Sequence, residues 1–329
     1  MFKNYLKIAL RNITKHKAYS LINISGLAIG MACTVLILLW IQDELSTDRF
    51  HKHIDNLYKV VERQDYSGSE FYLTDNTPGP LAQALKEQFA EVADSTRFLY
   101  GGRRPVRYGD KNYDEPLCFT DPSFFDMFTF PLIKGDKKNV LKEPSSIVIT
   151  EEMAAKYFGN EDPLGKILNL DNRYDFKVTG VLKDIPHNTH LYFFDFLLPF
   201  SQADEFVGGS FENWGRNWPW TYLLLQEGTS TKEYEKKIEG FLNEFQSATT
   251  LFMQPVKKIN FYTYTGESSY IVYLYIFSVI AFFILLIACI NFMNLSTARS
   301  NNRAKEVGMR KVAGANKSNI VKQFLENRS

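Results

Sequence analysis

The chain has 329 residues, room for two domains of roughly 100–200 residues each, and its 38 Lys/Arg nearly balance its 37 Asp/Glu. The balance is uneven, because both ends are basic and the acid excess falls in the middle, which argues against a nucleic-acid surface there. Of the three cysteines, Cys33 and Cys289 fall in apolar runs and Cys118 stands alone between them, so no disulfide framework exists and all three read as small packed hydrophobes.

In chain order, residues 1–18 come first. Phe2, Tyr5, Leu6, Ala9, Leu10 and Ile13 form one helical stripe, with Lys3, Lys7, Arg11 and Lys15 off it, which predicts an amphipathic helix in the lipid interface. Lys17 and Asp43 then bracket a charge-free run centred on Leu21–Ile41. A second lies between Glu267 and Arg299, centred on Ile271–Phe292. Each core exceeds 20 residues and as a helix reaches about 30 Å, the thickness of a bilayer core. This predicts membrane spans over 19–41 and 271–292. The first run is too long for a signal-peptide core and ends at "LLWIQDEL" without an A-x-A cleavage site. Gly26 and Gly30 form a G-x-x-x-G, expected to face another membrane helix at close range.

Both basic flanks belong on the cytoplasmic side, so the termini are expected inside and residues 42–270 outside. Asp43, Glu44 and Asp48 suit a translocated flank, and Trp40, Tyr264, Tyr270, Tyr273 and Tyr275 suit an outer interface.

The region 42–270 alternates strands and helices. Strands are expected over 56–63, 70–75, 94–100, 145–150, 174–186, 190–200 and 220–227, with a hairpin over 106–120 turning at Gly109-Asp110. Helices are expected over 78–92, 121–128, 150–159 and 229–245. The third starts on a Thr150 cap and stops at Gly159. The 190–200 segment is apolar on both faces, as for a strand buried on both. The fold class is therefore α+β, with two transmembrane helices flanking a mixed α/β extracytoplasmic domain. Its parts are expected to be a membrane-proximal subdomain (56–100 with 217–262) and an inserted one (101–216).

Catalytic signatures are scarce. Gly308 to Gly314 approaches a phosphate-binding loop, but Ala315 stands where Lys is needed. No G-x-S-x-G or H-E-x-x-H occurs. His51-Lys-His53 with Asp48 and Asp55, and His187-Asn-Thr-His190, are weak metal patterns without supporting Cys, and no metal or cofactor is expected. Trp214, Trp218 and Trp220 crowd into "FENWGRNWPW", either as a partner platform or as packed core.

Beyond the second run lies "RAKEVGMRKVAGA". Its pattern is close to R-x-x-E-[IV]-G-[ILM]-R-x-x-x-G-A, and the order of elements resembles the MacB/FtsX-type permease subunits of ABC transporters. "ITEEMAAKYFGNEDPLGKIL" with "FKVTGVLKDIP" is similar to the inserted part of their periplasmic core domain. The resemblance covers essentially the whole chain. It implies an inner (plasma) membrane, multi-pass permease without its own ATPase, working with a cytoplasmic ABC ATPase. It also implies a dimer or pseudo-dimer of permease halves and a partner or substrate outside the membrane. Arg303, Glu306, Gly308, Arg310 and Gly314, within the segment 293–329, are then the element that touches the ATPase. Family permeases have at least four spans, so a chain stopping at Ser329 reads as a fragment or truncation. The rival is a two-span sensor or regulator whose outer domain binds a partner such as a cell-wall hydrolase. With 37 residues after Phe292 and no heptads, an output domain for it is not apparent.

Overall fold

The computed structural model describes residues 17–65, 71–246, 248–264 and 270–312. The amphipathic stripe of residues 2–13 lies outside them. The chain divides into two compact units, residues 1–42 with 272–329, and residues 43–271.

Helix α1 spans Lys17–Leu45. Strands β1 (Leu57–Asp65), β2 (Phe71–Thr74) and β3 (Asn76–Pro78) lead into α2 (Leu81–Gln88). The long β4 (Val92–Tyr108) turns at Gly109 and Asp110 into β5 (Lys111–Thr120). Next come α3 (Phe124–Met127), β6 (Leu132–Lys134), β7 (Ser146–Thr150) and α4 (Glu151–Phe158). They are followed by β8 (Ile167–Leu170), β9 (Tyr174–Leu182), β10 (Phe196–Pro199) and α5 (Ala203–Val207). The rest comprises β11 (Asn217–Leu225), α6 (Thr231–Ile238), β12 (Thr249–Pro255) and α7 (Ile271–Val312).

Among the described residues twelve strands join one sheet, ordered β12-β1-β11-β4-β5-β10-β7-β9-β6, with β2, β3 and β8 off this path. Most pairs are antiparallel; β5/β10 and β7/β9 are parallel. At its centre, over β7, β10 and the end of β5, the sheet is buried on both faces, and alternation sends neighbours to opposite cores. Leu117 and Phe119 point one way and Cys118 the other. Phe196 and Leu198 oppose Leu197, and Ile147 and Ile149 oppose Val148. α4 and α5 help cover the first face, while α3 and the loops around Leu141, Leu191 and Phe194 cover the second. A third core lies on β1, β11 and β12 under α2 and α6.

α4 forms where the sequence places it. Thr150 Oγ1 accepts the Met153 amide at 3.4 Å, Glu151 and Glu152 occupy the first turn, and the helix stops at Gly159. Strand pairing over 190–200 is confined to Phe196–Pro199. Residues 190–193 form turns, and Leu191 and Phe194 are buried in the second core without a ladder. The α6 region is shorter than expected, because Gly240 interrupts it and a 3₁₀ turn follows at Phe241–Glu244. β3, β6 and β8 carry too few residues to show a period.

The strands of the two expected subdomains lie in one sheet, and β4 runs through position 100 from one segment into the next. Where β3 meets α2, a Cβ on Gly79 would stand 2.0 Å from the Phe211 carbonyl oxygen. We expect Gly79→Ala to destabilise the chain by about 1–3 kcal/mol through overpacking, measured as a lowered denaturation midpoint in detergent. Gln83→Ala, on the exposed face of α2, is expected within about 0.5 kcal/mol of the parent.

Candidate functional site

In the helical unit, α1 and α7 run antiparallel, as the sequence of contacts shows. Gly26 faces Asn291, Gly30 faces Ala288 and Ile284, and Trp40 packs edge-on against Phe277 with ring centroids 5.1 Å apart. A Cβ on Gly30 would lie 2.8 Å from the Ala288 Cβ, and one on Gly26 would lie 3.2 Å from Asn291 Nδ2. The two helices therefore approach where α1 lacks side chains. Hydroxyls in the apolar runs donate back to their own helix: Ser25 to Leu21 O, Thr34 to Gly30 O and Ser278 to Leu274 O, at 2.7–2.8 Å. Leu36, Leu39, Tyr275 and Ile287 face outward. Ile24–Leu45 and Ile271–Met293 are long and apolar enough to cross a membrane.

α7 does not stop at the end of its apolar run. It continues to Val312 and carries the backbone of Arg303, Glu306, Gly308 and Arg310, while Gly314 lies outside the described residues. The sequence contains no proline over 293–312, and Gly308 alone does not break the helix. Over residues 293–312 the basic segment is thus a continuation of α7. Arg303 stands about 15 Å along the axis from Met293 at 1.5 Å per residue.

The three tryptophans do not share a surface. Trp214 stacks on Phe245 with centroids 3.9 Å apart and planes within 7°. Trp220 stacks on Phe98, meets Phe193 edge-on, and carries the Lys59 ammonium 3.6 Å over its ring. Trp218 is 41% exposed.

A cleft of about 420 Å³ opens where β4, the 121–122 turn and the Phe200–Phe211 segment meet. Its wall is the Arg97–Asp121 pair. Arg97 donates from its backbone N, Nε and Nη2 to the Asp121 carboxylate at 2.7–3.0 Å, and its guanidinium lies 3.8 Å over Phe200. Lys142, Asp204 and Glu212 also line the cleft, and Phe200 and Phe211 are buried beneath it. Sequence reasoning missed this site, because residues 24 positions apart meet only through β4/β5 pairing. Among the described residues, no group of three His, Cys, Asp or Glu is arranged to hold a metal.

Comparison with known proteins gives two family matches. Residues 20–241 match the MacB-like periplasmic core domain, and residues 278–327 match the FtsX-like permease C-terminal domain. The macrolide export ATP-binding/permease protein MacB of Aggregatibacter actinomycetemcomitans is 26% identical over 289 residues, covering 84% of this chain and 39% of its own. The pyoverdine export ATP-binding/permease protein PvdT of Pseudomonas syringae pv. syringae is 22% identical over 285 residues, covering 81% and 41%. The chain thus spans about two fifths of these relatives' lengths. A crystal structure of a domain of a Porphyromonas gingivalis protein assigned as a permease superposes with a TM-score of 0.54 at 25% identity, over 62% of this chain and 91% of that one.

Two expectations follow from the geometry. Gly30→Leu is expected to cost about 1–3 kcal/mol by forcing α1 from Ala288, whereas Leu36→Ile on the outward face should be neutral, both read as thermal midpoints in detergent. Trp214→Ala is expected to destabilise by about 3 kcal/mol and Trp218→Ala by less than about 1, in denaturant titrations followed by fluorescence.

Proposed function

The chain belongs to the family of MacB-like, FtsX-type permeases of ABC transporters, and from that premise we propose that it transmits ATP-driven movement from a separate cytoplasmic ATPase to a domain outside the bilayer. The observation that carries the proposal is the unbroken α7. One helix of about 63 Å links an apolar run able to cross a membrane with Arg303, Glu306, Gly308 and Arg310. A helix fixes its own backbone hydrogen bonds, so a push at one end moves the other without a hinge.

In this reading both termini face the cytoplasm of an inner-membrane protein and residues 42–270 lie outside, as the Lys/Arg distribution favours. Glu306 and Arg310 stand one turn apart, so the element offers both charge signs to the ATPase, and Gly308 allows close approach. Gly314 belongs to the same family pattern. Gly26 and Gly30 hold α1 against α7, so the two spans move as a pair. Two permease halves work together as a dimer or pseudo-dimer. The cleft beside Arg97 and the exposed Trp218 offer surfaces for an outer partner. The chain's own chemistry requires no catalytic residue.

The test uses the full-length permease with its ATPase. Glu306→Arg with Arg310→Glu is expected to abolish co-purification and permease-stimulated ATP hydrolysis. Unchanged co-purification and hydrolysis in that double variant would refute the coupling role.

A further inference from the structure

The two histidine patterns of the sequence meet inside residues 43–271. Just past α1 the chain turns through Asp48, whose φ of 60° is left-handed and whose side chain is 1% exposed. Its carboxylate is heavily engaged. Oδ1 accepts the Thr189 hydroxyl at 2.6 Å and the His190 amide at 3.2 Å. Oδ2 lies 2.9 Å from His190 Nδ1, and His190 Nε2 lies 2.9 Å from the Tyr222 hydroxyl.

His51 sits beside this chain and is bound differently. Its Nδ1 accepts the backbone N–H of Thr129 at 3.0 Å, and the neighbouring Lys52 N–H donates to Thr129 Oγ1 at 2.8 Å. A backbone N–H is always a donor, so Nδ1 must be the bare nitrogen and the ring proton must be on Nε2. Among the described residues that Nε2 has no hydrogen-bond partner. The nearest carboxylate oxygen, Asp48 Oδ1, is 3.6 Å away. The rings of Phe50, Phe128 and Phe130 pack around it with centroids 4.1–5.1 Å away, and the side chain is fully buried.

A second proton on this ring has one place to go. On Nδ1 it would meet the Thr129 N–H donor to donor, so the bond must break, and the cation would be drawn toward Asp48. The ionisable groups around it are Asp48 on its own segment, His190 from the 187–191 turns and Tyr222 from β11. Behind Tyr222 lies the Lys59–Asp75 pair, with Lys59 Nζ 6.0 Å from the Tyr222 ring. We propose that His51 is a proton-operated latch: its bare Nδ1 fastens the segment after α1 to the 128–130 connection, and protonation of that nitrogen releases it.

The direction with pH follows from burial. Burial pushes His51 below the usual histidine value of about 6.5, so the opened or unfolded chain takes up the proton first. The latch is therefore fully closed above about pH 6.5 and loosens as pH falls below it. Burial also opposes ionisation of Asp48, but the His190 ring and hydrogen bonds from His190 and Thr189 outweigh it and hold the carboxyl well below its usual range. The Asp48 contribution is therefore present above about pH 3.9 and fails only at lower pH. The two steps are separable.

The experiment is amide hydrogen exchange on the intact chain in detergent at pH 7.5 and 5.5, normalised for the intrinsic rate. The amides of Lys52 and Thr129 should lose protection at least tenfold at pH 5.5 in the parent. In His51→Asn, a carbonyl oxygen replaces Nδ1 as a non-titrating acceptor, and protection should be the same at both pH values. Unchanged parental protection, or an undiminished pH response in His51→Asn, overturns the latch. Should His51→Asn lack protection at both pH values, imidazole ¹⁵N spectra of the parent decide. A bare His51 Nδ1 at pH 7.5 that gains its proton as Thr129 loses protection supports the latch. A protonated Nδ1 at pH 7.5, or titration without loss of protection, overturns it.

Discussion

Everything in the unit of residues 43–271 depends on a sheet whose central strands are buried on both faces. Where β5, β7 and β10 meet, Leu117–Phe119, Ile147–Ile149 and Phe196–Leu198 are apolar whichever way they point, and each face must then be covered. Covering both faces needs more chain than the sheet itself supplies. That is why α3 and the loops around Leu141 and Leu191 are held on one side and α4 and α5 on the other. Burying each Leu, Ile or Phe contributes roughly 1.5–3 kcal/mol.

The same constraint decides the fate of the polar groups. Lys59, pointing into the sheet beside Trp220, is paired with Asp75 at 2.5 Å. Burial still pulls it down to about 8, against the pull of Asp75. Among the described residues Glu62 has no cation beside it. Burial raises its carboxyl, while Gln64 and Asn217 donate to it at 2.6 and 2.7 Å. Arg97 is satisfied by Asp121 and by the Gly79 carbonyl, so it walls the cleft without being free to leave it. His51 is only half-satisfied, because one ring nitrogen is fully used and the other has no partner among the described residues. A buried group left half-satisfied is where a small change in protonation has the largest structural effect.

The helical unit is built on a different rule. Between two apolar helices the attraction is close packing and not expulsion of water, so the contact falls where α1 is thinnest, at Gly26 and Gly30. The family match, the apolar runs and the continuous α7 fit one account, in which a sheet domain and a helix pair are parts of an ABC transporter permease.

Much of this was legible before any coordinates. Long charge-free runs announce spans because water cannot satisfy a backbone inside lipid, and one run of letters suffices to see them. The Thr150 cap, the Gly109-Asp110 turn and the two-sided hydrophobicity near Leu197 are local patterns, and the structure has the corresponding helix start, hairpin and buried strand. The pattern around Glu306 and Gly308 pointed to the family, as did the order of elements. What the sequence could not decide was which distant residues meet. Asp121 comes to Arg97, His190 to Asp48, and Thr129 to His51 through strand register and loop closure, contacts 24 to 142 positions apart. The extent of α7 and the separation of the three tryptophans also belong to the tertiary structure. Local periodicity is written in neighbouring residues, but partnership across a sheet is settled only when every strand competes for the same core.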